Sequence, residues 1–230
     1  MLAESAPMTA VHVLVPVKGL RLAKTRLAHA LEPDLRGDLV VAMLVDTLAA
    51  VGGVDGAIPT VVTSDPDVAE VASAHGARLL PDPAGAPGPD DHGSAARLNA
   101  ALGAAAATVR ARDPWTDLIA LQADLPALRS TELASALAEA RRAGRAMVPD
   151  HGGDGTTALL HCTPDTPLRP AFGPGSAARH AASGALVLTG DRPGLRHDVD
   201  TVDDLVAVAR IGAGAATSAM LARIGFVSAS

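Results

Sequence analysis

Short runs of aliphatic and β-branched residues alternate along this chain with longer stretches whose apolar residues recur every three or four positions. That alternation allows few architectures. Strands are expected at 12–17, 60–64, 77–81, 117–122, 145–149, 156–162 and 185–188. Helices are expected at 35–51, 66–75, 97–112, 130–144, 176–183, 201–211 and 216–224. Strands separated by helices build βαβ units, so the expected fold is a three-layer α/β arrangement around a mainly parallel, mixed sheet. Aromatic residues make up only 1% of the chain and tyrosine is absent, so the core must be Val, Leu and Ala packed between layers. At 230 residues the chain fits one domain, expected to run over 11–214 after a disordered tail at 1–10. Residues 215–230 are expected to add a helix and tail that cap the fold or meet a partner, and the Pro-, Gly- and Asp-rich stretch 81–96 reads as a mobile loop.

Several function classes are disfavoured at once. The net charge is −6 and no basic run occurs, which argues against nucleic acid or an anionic membrane as the main partner. The single cysteine, Cys162, allows neither an internal disulfide nor a cysteine metal cluster and reads as a small buried hydrophobe. The first ten residues lack the charge and apolar core of a signal peptide, and no apolar run approaches membrane-spanning length, so a cytoplasmic location is expected.

Four segments carry chemistry. Lys18 and Lys24 are the only lysines, every other basic side chain being arginine, and both fall in PVKGLRLAKTRL directly after the first strand. A compact ammonium suits phosphate oxygens, and Gly19 permits close backbone approach there; Arg21 and Arg26 add charge. The segment is neither a Walker loop nor a G-x-G-x-x-G turn. In LIALQADLPAL a buried strand runs into Asp124, with Pro126 ending it, so a carboxylate arrives at the carboxyl edge of the sheet beside Gln122. In RHDVDTVDDL the alternate residues Asp198 and Asp200 face one way, and with Asp124 they suit one or two Mg²⁺ ions. Thr201 is expected to cap the following helix, with Asp203 and Asp204 favouring its dipole, and Ser130 to cap the helix at 130–144. The fourth segment pairs GGDGTTALL with FGPGSAARH. Gly173, Gly175 and the amides of the helix starting near Ser176 form an expected anion pocket, with hydroxyls from Thr156 and Thr157. Arg179 faces either the anion or the surface. Ser176 and His180 stand at i,i+4, but no G-x-S-x-G elbow supports a nucleophile and base there.

In this order the four segments resemble the CofC/FbiD family of guanylyltransferases of coenzyme F420 biosynthesis, from about Val11 to Gly214. The resemblance implies a MobA-like fold related to glycosyltransferase A, and transfer of GMP from GTP to phosphoenolpyruvate or 2-phospho-L-lactate. It implies that Asp124, Asp198 and Asp200 hold Mg²⁺, that Thr157, Gly173 and Ser176 hold the acceptor, and that Lys18, Lys24 and Arg26 grip the triphosphate. Asn99, in RLNAAL, falls where such enzymes close over the nucleotide, with Gly19 and Gln122 also on the nucleotide side. HGGDGTTA is a residue longer than the family's turn, which leaves the acceptor contact open between Thr156 and Thr157. The downstream transferase of F420 biosynthesis is an implied partner. A different nucleotidyl- or glycosyltransferase of this fold, or a GTP-binding module without turnover, are the competing readings.

Overall fold

β1 (Val11–Pro16) is uncharged and buried along almost its whole length, as the centre of a parallel sheet requires. β2 (Ala57–Thr63) and β4 (Asp117–Leu121) flank it, both parallel to it, and β3 (Arg78–Pro81) continues the parallel set beyond β2. On the other side β6 (Thr156–His161) runs antiparallel, followed by β5 (Arg145–Pro149) and β7 (Leu186–Val187), giving the order β3-β2-β1-β4-β6-β5-β7. β6 is reversed because a tight turn, 150–155, joins it to β5, and a connection that short permits only antiparallel pairing. The molecule is seen in a computed structural model that describes residues 10–19, 24, 27, 29, 31–83, 94–164 and 166–226. The expected N-terminal tail (residues 1–9 of it), most of the 81–96 loop, Arg21 and Arg26 lie outside the described residues.

Helices cover both faces. Along β4, Ile119 and Leu121 join the cluster formed with α1 (Pro33–Gly52), α2 (Pro66–Ala74) and α4 (Ser130–Ala143). Leu118 and Ala120 point the other way, to α3 (Ser94–Arg110) and α5 (Ser176–Ala182). Val, Leu and Ala dominate both clusters, as composition required. A third cluster joins α1 through Leu39 and Met43 to α7 (Val202–Ile211) and α8 (Ala215–Arg223), through Leu205, Val208, Met220 and Leu221. Asp46 of α1 accepts from the Ala216 and Thr217 amides at 3.0 and 2.7 Å, so α8 is tied to the main body at its N-terminus.

Two local expectations change. Ser130 does not cap α4. Its hydroxyl donates to Ala50 O at 2.8 Å across the end of α1, and Glu132 accepts from the Arg129 amide at 3.2 Å instead. A short helix, α6 (Pro193–Arg196), also forms in a stretch too brief to show helical periodicity. Thr201 does cap α7, receiving the Asp204 amide at 3.3 Å while Asp204 receives the Thr201 amide at 2.7 Å. Among the described residues no helix is long and apolar enough to cross a membrane.

Candidate active site

β4 ends where its ladder with β6 ends: the Gln122 amide donates to Thr157 O at 2.9 Å, and the chain then turns through Asp124–Leu128. Three other segments clamp this turn. Val199 donates to Asp124 O at 3.1 Å, Gly214 donates to Pro126 O at 2.7 Å, and Gly194 packs so closely that an added Cβ would stand 2.0 Å from Ala127 O. The Val199 bond aligns the Asp198–Asp200 segment alongside Asp124, so carboxylates distant in sequence converge at the carboxyl edge of the sheet.

Lys24 enters this group. Its ammonium forms a salt bridge with Asp124 and donates to Asp200 at 2.7 Å. Burial alone would lower its pKa, but the two carboxylates outweigh that and raise it, so the side chain is a fixed cation. Its backbone adopts φ 55°, a left-handed conformation that non-glycine residues seldom take. Asp198 feels the opposite pressure. Burial first, and then the charges of Asp124 and Asp200, push its carboxyl up to about 7. One ammonium therefore faces three carboxylates, and Asp124 Oδ1 is buried with no hydrogen bond among the described residues. A hard divalent cation with oxygen ligands fits this donor set.

Lys18 and Gly19 leave β1 at the same edge; a Cβ on Gly19 would lie 3.0 Å from Asp65 Oδ2. Gln122 is half-buried at the end of β4. Asn99, expected on the nucleotide side, is engaged here with the backbone of Phe172. Its amide donates to Phe172 O at 3.1 Å and accepts from Phe172 N at 2.8 Å, so both ends brace the FGPGS loop.

The trio Thr157, Gly173 and Ser176, expected at the acceptor, does not form one set of side chains. β5 and β6 pair Val148 with Ala158 and Pro149 with Thr156, so Thr157 is the extra residue of a β-bulge. The Thr157 hydroxyl donates to Leu195 O at 2.6 Å, on the α6 side of the sheet. Thr156 turns toward α5, where its hydroxyl meets the Ser176 hydroxyl at 3.1 Å and His180 Nδ1 at 3.0 Å. Thr156, not Thr157, is thus the hydroxyl grouped with Ser176. The expected anion-binding amides are used internally: Gly175 N donates to Asp154 Oδ2 at 2.8 Å, Ala177 N to Asp154 O and Ser176 N to Gly173 O, both at 3.0 Å. Gly173, at φ 119°, lies where a Cβ would stand 2.9 Å from Ala95 Cβ, so the loop and α3 can approach only with glycine there.

Arg179 is exposed, and its guanidinium donates to Ala171 O, Gly173 O and Pro174 O, fastening the loop from outside. His180 is no base for Ser176. Its Nε2 accepts from Ala171 N at 2.9 Å, and burial, reinforced by the charges of Arg179 and Arg145, lowers its pKa to about 4. Sequence reading missed the structural parts of Asp154, Arg179 and His180, which depend on loop geometry. The one available signal was Arg179 and His180 side by side on a seven-residue helix that follows a glycine-rich loop.

The sequence profile of the family described as "Guanylyl transferase CofC like" matches residues 11–230. The chain is 54% identical over 218 residues to a phosphoenolpyruvate guanylyltransferase of Nocardia farcinica, covering 94% of this chain and 93% of that one. It is 53% identical over 215 residues to the protein of the same name in Rhodococcus opacus, covering 91% and 89%. Among solved structures, a putative nucleotide-diphospho-sugar transferase from Desulfovibrio desulfuricans superposes with a TM-score of 0.64 at 18% identity, covering 94% of this chain and 95% of that one. A 4-diphosphocytidyl-2C-methyl-D-erythritol synthase gives 0.54 at 13% identity, covering 89% and 99%. At such identities these two establish the fold, which is of the MobA-like, glycosyltransferase A-like type.

Proposed function

The chain belongs to the CofC-like guanylyl transferase family, and from that premise we propose that it transfers GMP from GTP to phosphoenolpyruvate, with release of pyrophosphate, as a step toward coenzyme F420. The observation that carries the reading is the meeting of Lys24 with Asp124 and Asp200, and of Asp198 beside them, at the carboxyl edge of a nucleotidyltransferase sheet. Asp124, Asp198 and Asp200 are the residues that would hold Mg²⁺, which when bound supplies charge neutralisation at the reacting phosphates. Lys18 and Lys24, with Arg26, are the cations for the triphosphate, and Ser176, Thr156 and Gly173 border the acceptor. Gly19 and Gln122 lie on the nucleotide side.

The acceptor's phosphate oxygen is already ionised at neutral pH, so the site needs no nucleophilic side chain and no strong base. That oxygen forms the new bond to the α-phosphorus as the bond to the β-phosphate oxygen breaks, and pyrophosphate leaves. The barrier is then repulsion between anions and their alignment. Fixed lysine charge at the departing phosphates lowers the first, and the braced FGPGS loop serves the second. The test is mass spectrometry of the product formed from GTP and an equimolar mixture of phosphoenolpyruvate, 2-phospho-L-lactate and 3-phosphoglycerate, with the downstream transferase present as a trap. A guanylylated phosphoenolpyruvate adduct is expected. A different adduct would reassign the acceptor, and GTP bound without turnover would favour a sensing module.

A further inference from the structure

Beyond the carboxylate cluster, a second group of ligand-type side chains converges from three different segments. His151 lies in the turn between β5 and β6, His197 follows α6, and Asp204 stands in the first turn of α7. Both imidazoles present Nε2 to the same oxygen, Asp204 Oδ1, each at 3.8 Å. Their rings stack at 4.1 Å between centroids and 16° between planes. The other oxygen, Asp204 Oδ2, is already taken by the amides of Asp200 and Thr201 and the Thr201 hydroxyl, at 3.0, 2.7 and 2.8 Å. The capping interaction therefore fixes the carboxylate and leaves Oδ1 aimed at the histidines.

A separation of 3.8 Å is too long for a hydrogen bond. It is close to the spacing of ligands around a shared ion, since donors in a tetrahedral Zn²⁺ site stand roughly 3.3 Å apart. All three ligand atoms lie within 4.8 Å of one another. A cleft of about 480 Å³ lined by His151 and His197 opens beside them, giving an ion access and room for a water as a further ligand.

We propose that His151, His197 and Asp204 form a second metal site, distinct from the Asp124–Asp198–Asp200 cluster, that takes a borderline first-row divalent cation such as Zn²⁺. Two imidazoles with one carboxylate favour such an ion over Mg²⁺, which prefers oxygen. An ion there fastens the turn at 150–155, whose Asp154 caps α5, to the loop that carries Asp198 and Asp200. Because the ligands are separate from the guanylyl-transfer cluster, the site stands or falls independently of the reaction assigned above.

The test is calorimetric titration of Zn²⁺ into the full chain under saturating Mg²⁺, which occupies oxygen-only sites, with Co²⁺ absorption as a second readout. One tight Zn²⁺ equivalent is expected, and the Co²⁺ complex should show the intense visible bands of a histidine-ligated, near-tetrahedral ion. His151→Ala, at a half-exposed side chain in a turn, should fold normally by circular dichroism and weaken Zn²⁺ binding on the order of tenfold or more. His197→Gln should do the same. Unchanged Zn²⁺ affinity in both variants, or no Zn²⁺ uptake by the wild type under saturating Mg²⁺, would overturn the proposal.

Discussion

Lys24 combines two features that seldom coincide: a left-handed backbone and an ammonium shared by two carboxylates. Holding a non-glycine residue in that conformation costs on the order of 1 kcal/mol. The ammonium fits between Asp124 and Asp200 because it is compact. A planar guanidinium on a longer stem would keep the charge but displace one carboxylate. Lys24→Arg should therefore lower kcat on the order of 10²-fold with the fold intact, measured as pyrophosphate release alongside thermal unfolding. A rate near wild type would mean that any cation suffices there. His180 tests a different residue-scale claim. Its folded pKa, about 4, lies below the ordinary 6.5, so between these values the unfolded chain binds the extra proton. Its contribution is fully present above pH 6.5 and is lost as pH falls through 4. The stability of the wild type should thus fall more steeply over that window than that of His180→Gln, by urea midpoints. Parallel slopes would contradict the buried neutral imidazole.

At the scale of elements, the turn carrying Asp124 is held by its neighbours rather than by its own sequence. The closest contact is α6 on Ala127 O, where Gly194 leaves no room for a side chain. Gly194→Ala should cost about 1–3 kcal/mol of stability by overpacking. Because the same turn presents Asp124, kcat should fall more than KM changes. A variant with wild-type stability would show that α6 and the turn can separate freely. The elements themselves were largely legible from the chain: β1 to β4 and their helices follow hydrophobic periodicity, and Asp124 follows from a buried strand stopped at Leu-Pro. What could not be read was set by tertiary pairing. The bulge that sends Thr157 to Leu195 and Thr156 to Ser176 depends on how β5 pairs with β6. Likewise Ser130 lost its expected capping role because the end of α1 offered Ala50 O within reach.

Across the whole molecule, the sheet gathers its chemistry at one edge. Parallel β1 and β4 deliver Lys18 and Asp124 from their carboxyl ends, while the antiparallel β6 begins there and brings Thr156 to the same side. The reversal of one strand thus sets the start of β6, which a fully parallel sheet would place at its opposite edge, beside the carboxyl ends of β1 and β4. α7 contributes its N-terminal loop, held by the Asp204 carboxylate, whose Oδ1 lies 3.8 Å from His151 Nε2 of the turn opposite. The central claim is that Lys24 and the three aspartates form the centre of guanylyl transfer. It is tested most directly by pyrophosphate release from GTP and phosphoenolpyruvate with Mg²⁺, comparing the wild type with Asp124→Asn of matched thermal stability. Release by the wild type, with a loss on the order of 10²- to 10³-fold in the variant, is the predicted result. A variant that keeps its rate within about tenfold of wild type would contradict the assignment, because a loss that small lies below even one electrostatic contact to a transition state.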